Sequence, residues 1–137
     1  FIHVAIDDHS RYAYVEALRN EKADTTVDFL VRAVKAYERV GVKIERILTD
    51  NGSNYISRLF KNQADQMGIG LRRTRPYRPQ TNGKAEAFIK TLIREWAYKR
   101  IYTSNQERLD ELTKFVKGYN YRRPHTSLSM RPPVSRL

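Results

Sequence analysis

The chain opens with two runs of apolar, β-branched and aromatic residues, 1–6 (FIHVAI) and 12–18 (YAYVEAL), around Asp7-Asp8-His9-Ser10. Short polar side chains of that kind bond to their own backbone in turns, so the pattern predicts a β-hairpin. The period then changes. Val27, Leu30, Val31, Val34 and Tyr37 recur at helical spacing after Asp24 and Thr25, which can cap a helix, and Gly41 ends it. A short strand over 43–49 (KIERILT) runs into Asp50-Asn51-Gly52-Ser53, and 54–67 reads as a helix closing at Gly68. Another strand-like piece, 69–74, leads into a breaker-rich loop through Gly83. A long helix follows from Lys84 to about Arg100, with Phe88, Ile89, Leu92, Ile93 and Trp96 as its apolar stripe. A second amphipathic helix covers 106–119, and the Pro- and Arg-rich residues 121–137 read as an extended tail.

Strand, strand, helix, strand, helix, strand, helix, helix is an α/β layered order, and 137 residues suit one domain with a real core. Ligands of open α/β sheets gather at the carboxyl ends of strands, where Asp50 falls. No run reaches the roughly 18 consecutive apolar residues of a membrane span. The first residues lack the basic lead and cleavage site of a leader peptide, and there are no cysteines. That excludes disulfide scaffolds, zinc-thiolate sites and cysteine nucleophiles, and an intracellular protein is the expectation.

Charge sharpens the picture. Lys and Arg number 26 against 15 Asp and Glu, for a net +11. Residues 1–71 carry ten of each sign, 72–100 nine basic against two acidic, and 101–137 seven against three. A neutral first half joined to a cationic second half points to a polyanion met by one side of the molecule, nucleic acid above all.

Two acids then stand out. Asp50 directly follows an apolar strand, in TDNGSN, where Asn51-Gly52 forces a tight turn. Alone it reads equally as a turn-stabilising or helix-capping residue. Glu86 lies in the first turn of a helix, where an acid complements the dipole, yet it sits in the most basic stretch of the chain. An acid facing DNA repels phosphate unless a cation intervenes. Two carboxylates can hold Mg²⁺ or Mn²⁺, hard ions suited to oxygen ligands and to phosphoryl transfer.

Asp50 and Glu86 are separated by 35 residues, within Thr49-Asp50-Asn51-Gly52-Ser53-Asn54-Tyr55 and Tyr77-Arg78-Pro79-Gln80-Thr81-Asn82-Gly83-Lys84-Ala85-Glu86. Further motifs are Asp8-His9-Ser10-Arg11-Tyr12, Lys90-Thr91-Leu92 with Glu95-Trp96-Ala97-Tyr98, and Tyr119-Asn120-Tyr121-Arg122-Arg123-Pro124-His125. Together they resemble the catalytic core of the retroviral-integrase and bacterial insertion-sequence transposase superfamily, over essentially the whole chain and closest to the transposases. The resemblance implies an α/β ribonuclease-H-like mixed sheet flanked by helices, spanning 1–137. It implies a DDE metal triad with Asp50 as second and Glu86 as third carboxylate, holding two Mg²⁺ or Mn²⁺ ions in a complete site. It implies a transposase that cleaves element ends with water and joins the freed 3′-hydroxyl to target DNA. Partners would be element-end and target DNA and further copies of the chain, in the bacterial cytoplasm on the nucleoid. Lys90 shares a helix face with Glu86 and matches a DNA-contacting position, and Arg75, Tyr77, Arg78, Lys84 and Arg94 are further candidate DNA contacts.

The pattern departs from the family in places. Ile93 stands where integrases often carry a second Lys, and Ala87 where insertion-sequence relatives carry Arg. The family's first Asp lies on a strand ahead of the hairpin, so the resemblance implies that this strand and its acid precede Phe1. The fragment would then be inactive, with a rearranged or strand-exchanged sheet. Asp7 as first carboxylate is the competing reading. Ser53 and Asn54 either orient a metal-bound water or cap the next helix. His125 reads as a packing residue of the tail. A nuclease that cleaves without joining, and a degenerate or accessory DNA-binding module, are the alternative functions.

Overall fold

The computed structural model describes residues 1–74, 83–97 and 101–137. Its packing falls into two compact units, Phe1–His3 with Glu16–Gly83 and Val4–Val15 with Lys84–Leu137. Strands β1 (Ile2–Ile6) and β2 (Ala13–Ala17) pair as the expected hairpin, closed by Asp7 N–H on Tyr12 O at 2.9 Å and Leu18 N–H on Phe1 O at 2.7 Å.

In the first unit, helix α1 (Ala23–Arg39) presents Phe29, Leu30, Ala33, Val34 and Tyr37 to the interior. Asp24 and Thr25 do not cap it. Extended Lys22 takes that place and supplies the first carbonyl, and Asp24 falls in the first turn, where its charge suits the helix dipole. The end is as expected: Gly41 adopts φ +86° and its N–H reaches Glu38 O, while Val42 N–H reaches Tyr37 O. Strand β3 (Arg46–Thr49), helix α2 (Arg58–Gln66) and strand β4 (Gly70–Arg73) form a β-α-β unit with the strands parallel, Arg46 opposite Gly70 and Thr49 opposite Arg73. Leu30, Val34, Phe60, Ala64 and Ile69 make the core, with Ile44, Ile47, Tyr55 and Leu71 packed around it. Helix α2 starts later than residue 54 because Ser57 caps it, accepting Phe60 N–H at 3.1 Å.

In the second unit, helix α3 (Gly83–Leu92) continues into a π-helical turn, Ile93–Ala97, and helix α4 (Asn105–Tyr121) is capped by Ser104. Phe88, 1% exposed, meets Tyr119 edge-on at 4.8 Å, and Trp96 Nε1–H donates to Arg108 O. The Tyr119–His125 motif is the unit's clasp. Buried Asn120 accepts Ala13 N–H at 2.7 Å and donates to Ala13 O at 2.8 Å, so its amide acts as one more strand position on β2. Arg123 binds Glu95 of the π turn at 2.7 Å, and the His125 ring packs edge-on against Tyr119.

One expectation is corrected here. Residues 121–137 are not an extended tail: they fold into two 3₁₀ turns, Thr126–Leu128 and Pro133–Arg136, reversed at left-handed Ser129 and Met130. Burial of Leu128 and Pro133 drives that return. Among the described residues there are two two-stranded sheets, the antiparallel hairpin and the parallel β3–β4 pair.

Candidate catalytic and DNA-contact residues

Asp50 is the first residue past β3, in the first unit, and its side chain is exposed. One oxygen, Oδ1, accepts Gly52 N–H at 2.7 Å, and the other makes no hydrogen bond or ion pair among the described residues. Asp50 therefore stabilises its own turn and does not cap α2, a task Ser57 performs. The flanking residues fasten the loop. Thr49 hydroxyl donates to Asp50 O at 3.0 Å, Asn51 Nδ2 to Thr74 O at 2.9 Å and Asn54 Nδ2 to the buried Thr26 Oγ1 at 2.9 Å. Burial raises the Tyr55 hydroxyl's pKa, and the Asp50 and Glu21 carboxylates add to the shift.

Asp7, the competing first carboxylate, is engaged in the hairpin turn. Its Oδ2 accepts both the N–H and the hydroxyl of fully buried Ser10, at 2.9 and 2.6 Å. Arg11 follows in a left-handed conformation, φ +67°, which that turn imposes.

Glu86 occupies the first turn of α3 in the second unit, exposed and without a hydrogen-bond or ion-pair partner among the described residues. Phe88 anchors the opposite side of the helix, so packing turns Glu86 outward. Lys90, one turn on, is exposed beside it. Lys84 is engaged: its ammonium lies 2.7 Å from Asp8 Oδ1 and 2.9 Å from Asp8 O. Arg94 is largely exposed, with a loose contact to Glu95 at 3.5 Å. Arg75, Tyr77 and Arg78 lie outside the described residues. Exposed Arg72 and Arg73 on β4 add cationic surface to the first unit.

Open carboxylates with oxygen-only donors suit a hard divalent cation. Among the described residues, no three His, Cys, Asp or Glu side chains come together as a metal cluster. Sequence reasoning missed the Asn120 clamp and the Glu95–Arg123 pair, because both join residues remote in the chain.

A family model described as an integrase core domain matches residues 1–79, and a second with the same description matches 67–133. The chain belongs to the integrase core domain family. It is 26% identical over 150 residues to a putative integrase of Spiroplasma virus SpV1-C74, covering 100% of this chain and 41% of that protein. It is 28% identical over 136 residues to the transposase of insertion sequence element IS904 of Lactococcus lactis, covering 97% of this chain and 53% of the transposase. The chain thus spans about half the length of these relatives, or less. The crystal structure of the catalytic core domain of BIV integrase matches with a TM-score of 0.74 at 18% identity, over 98% of this chain and 82% of that one. The fold is accordingly the ribonuclease-H-like α/β fold of integrase cores. No described helix is long and apolar enough to cross a membrane.

Proposed function

We propose that this integrase core domain is the catalytic core of a transposase that cleaves the ends of a DNA element and joins them to target DNA. The observation that carries the reading is the Asp50 carboxylate: it stands at the end of a parallel strand with one oxygen tied to Gly52 N–H and the other open. Glu86, exposed and unpaired among the described residues on a helix that also carries Lys84, Lys90 and Arg94, supplies the second acid. Asp50 and Glu86 would hold Mg²⁺ or Mn²⁺, which in phosphoryl transfer activates the attacking oxygen and stabilises the leaving one. The protein's own share is positional. Packing of Phe88 fixes the rotation of α3 and so the side on which Glu86 is offered, while Lys90 and Arg94 meet backbone phosphate without reading sequence. Arg75, Tyr77 and Arg78 extend that contact in the same reading. The working form would be a multimer on element-end and target DNA.

The test uses the full-length protein with labelled element-end DNA and Mn²⁺, comparing wild type with Glu86→Gln. Strand-joined products that vanish in the variant are the expected result. Cleavage without joining would replace the reading by a nuclease. Binding without chemistry in wild type, with ends and metal verified, would replace it by an accessory DNA-binding module.

A further inference from the structure

The loop after β3 holds more order than a turn around Asp50 requires. Gly52 O accepts the N–H groups of Tyr55 and Ile56 at 2.9 and 3.1 Å, and Ser57 hydroxyl donates to Asn54 O at 2.8 Å. Asn54 is drawn inward by Thr26, a residue of α1 with no exposed surface, which takes its amide N–H. That bond leaves the Asn54 amide oxygen turned toward Gly52. A β-carbon built on residue 52 would lie 2.8 Å from Asn54 Oδ1 and 3.0 Å from Asp50 Oδ1. The two oxygens therefore crowd the same side of Gly52, where the Gly52 N–H on Asp50 is the hydrogen bond present. Two acceptors facing one space repel unless a proton donor or a cation lies between them. An amide oxygen contributes a hard donor there without adding a second full charge.

We propose that Asn54 is a positioning residue for the Asp50 carboxylate, fixed by Thr26 and dependent on the bare α-carbon of Gly52. The inference deepens the metal reading of Asp50 and rests on it. Thr26 holds the amide, and the amide holds the loop conformation in which Gly52 N–H meets Asp50 Oδ1. Asp50 thus keeps one rotamer, with its second oxygen free for a divalent cation. Residues that orient a metal ligand in this way change affinity by about 10- to 100-fold when removed. The exposed site places Asn54 at the low end.

The test is Mn²⁺ binding, read by electron paramagnetic resonance on the full-length protein, with amide exchange of Gly52 read by NMR. Asn54→Ala and Thr26→Val each weaken Mn²⁺ binding by roughly tenfold and speed Gly52 exchange. The double variant loses no more than either single one, because both act through one bond. Thr26→Ser, which keeps the hydroxyl, stays near wild type and shows that the loss is not one of folding. Unchanged Mn²⁺ affinity in Asn54→Ala, with binding abolished in Asp50→Asn, overturns this inference and leaves the metal reading standing. Mn²⁺ that binds equally well to Asp50→Asn overturns the metal reading instead. Gly52 exchange then decides the positioning alone: unaltered protection in Asn54→Ala overturns it, and faster exchange sustains it.

Discussion

Removing the Asn120 amide should destabilise the second unit strongly. The side chain is 3% exposed and makes two hydrogen bonds to one residue, to Ala13 N–H at 2.7 Å and Ala13 O at 2.8 Å. In Asn120→Ala both backbone groups lose their partner, and each buried unsatisfied group costs about 1–3 kcal/mol. The sum is about 2–6 kcal/mol, a large part of the roughly 5–15 kcal/mol that holds a domain folded. Asn120→Asp separates the two bonds. The carboxylate can still accept Ala13 N–H, but it faces Ala13 O without a proton to offer, so it should be no better than Ala. Urea titration followed by Trp96 fluorescence reads the loss as a lower midpoint at unchanged slope. A cost below about 1 kcal/mol for Asn120→Ala would refute the reasoning, since it would mean that water or a shifted backbone replaces both bonds.

Two further outcomes follow from the charges of the same unit. Glu95 titrates below the ordinary glutamate range, chiefly because Arg123 hydrogen-bonds to it, with Arg94 adding a smaller effect. A depressed folded-state pKa means stability that is full above the unfolded value, near pH 4.3, and lost as pH falls through the lower folded value. The advantage of wild type over Glu95→Gln in urea melts should therefore be present at pH 7 and disappear in acid; an advantage independent of pH would sink the ion-pair account. Lys90, if it meets phosphate, should lower the slope of log K against log salt by about 0.9 when replaced by Ala, equally for all DNA sequences. An unchanged slope would take that face of α3 off the DNA.

What the sequence disclosed and what it hid divide along a physical line. Helix α1 was legible because its apolar stripe has the helical period and Gly41 can take φ +86° at no steric cost. The hairpin was legible because Asp7 and Ser10 are residues whose side chains close turns on their own backbone. These are local matters, settled within a few residues. The tail was misread for the opposite reason. Its Pro and Arg content favours an extended chain, but Leu128 and Pro133 find a buried surface, and left-handed Ser129 and Met130 are tolerated because that burial outweighs them.

The candidate site shows both sides of the same line. Asp50 stood out because an apolar strand runs straight into Asn51-Gly52, yet the residues around it could not say whether it closes its own turn or caps α2. Packing supplies the answer: Ser57 takes the capping role, Asp50 Oδ1 accepts Gly52 N–H in its own turn, and Thr26 takes the amide of Asn54 across 28 positions of chain. A side chain's role in a loop depends on which of its polar atoms other elements have already claimed. Sequence spacing names the atoms present, and only packing decides which are left over. The open oxygen of Asp50 is such a remainder, and so is the whole carboxylate of Glu86, turned outward by the burial of Phe88. Their promise as ligands thus comes from satisfied neighbours as much as from their own charge.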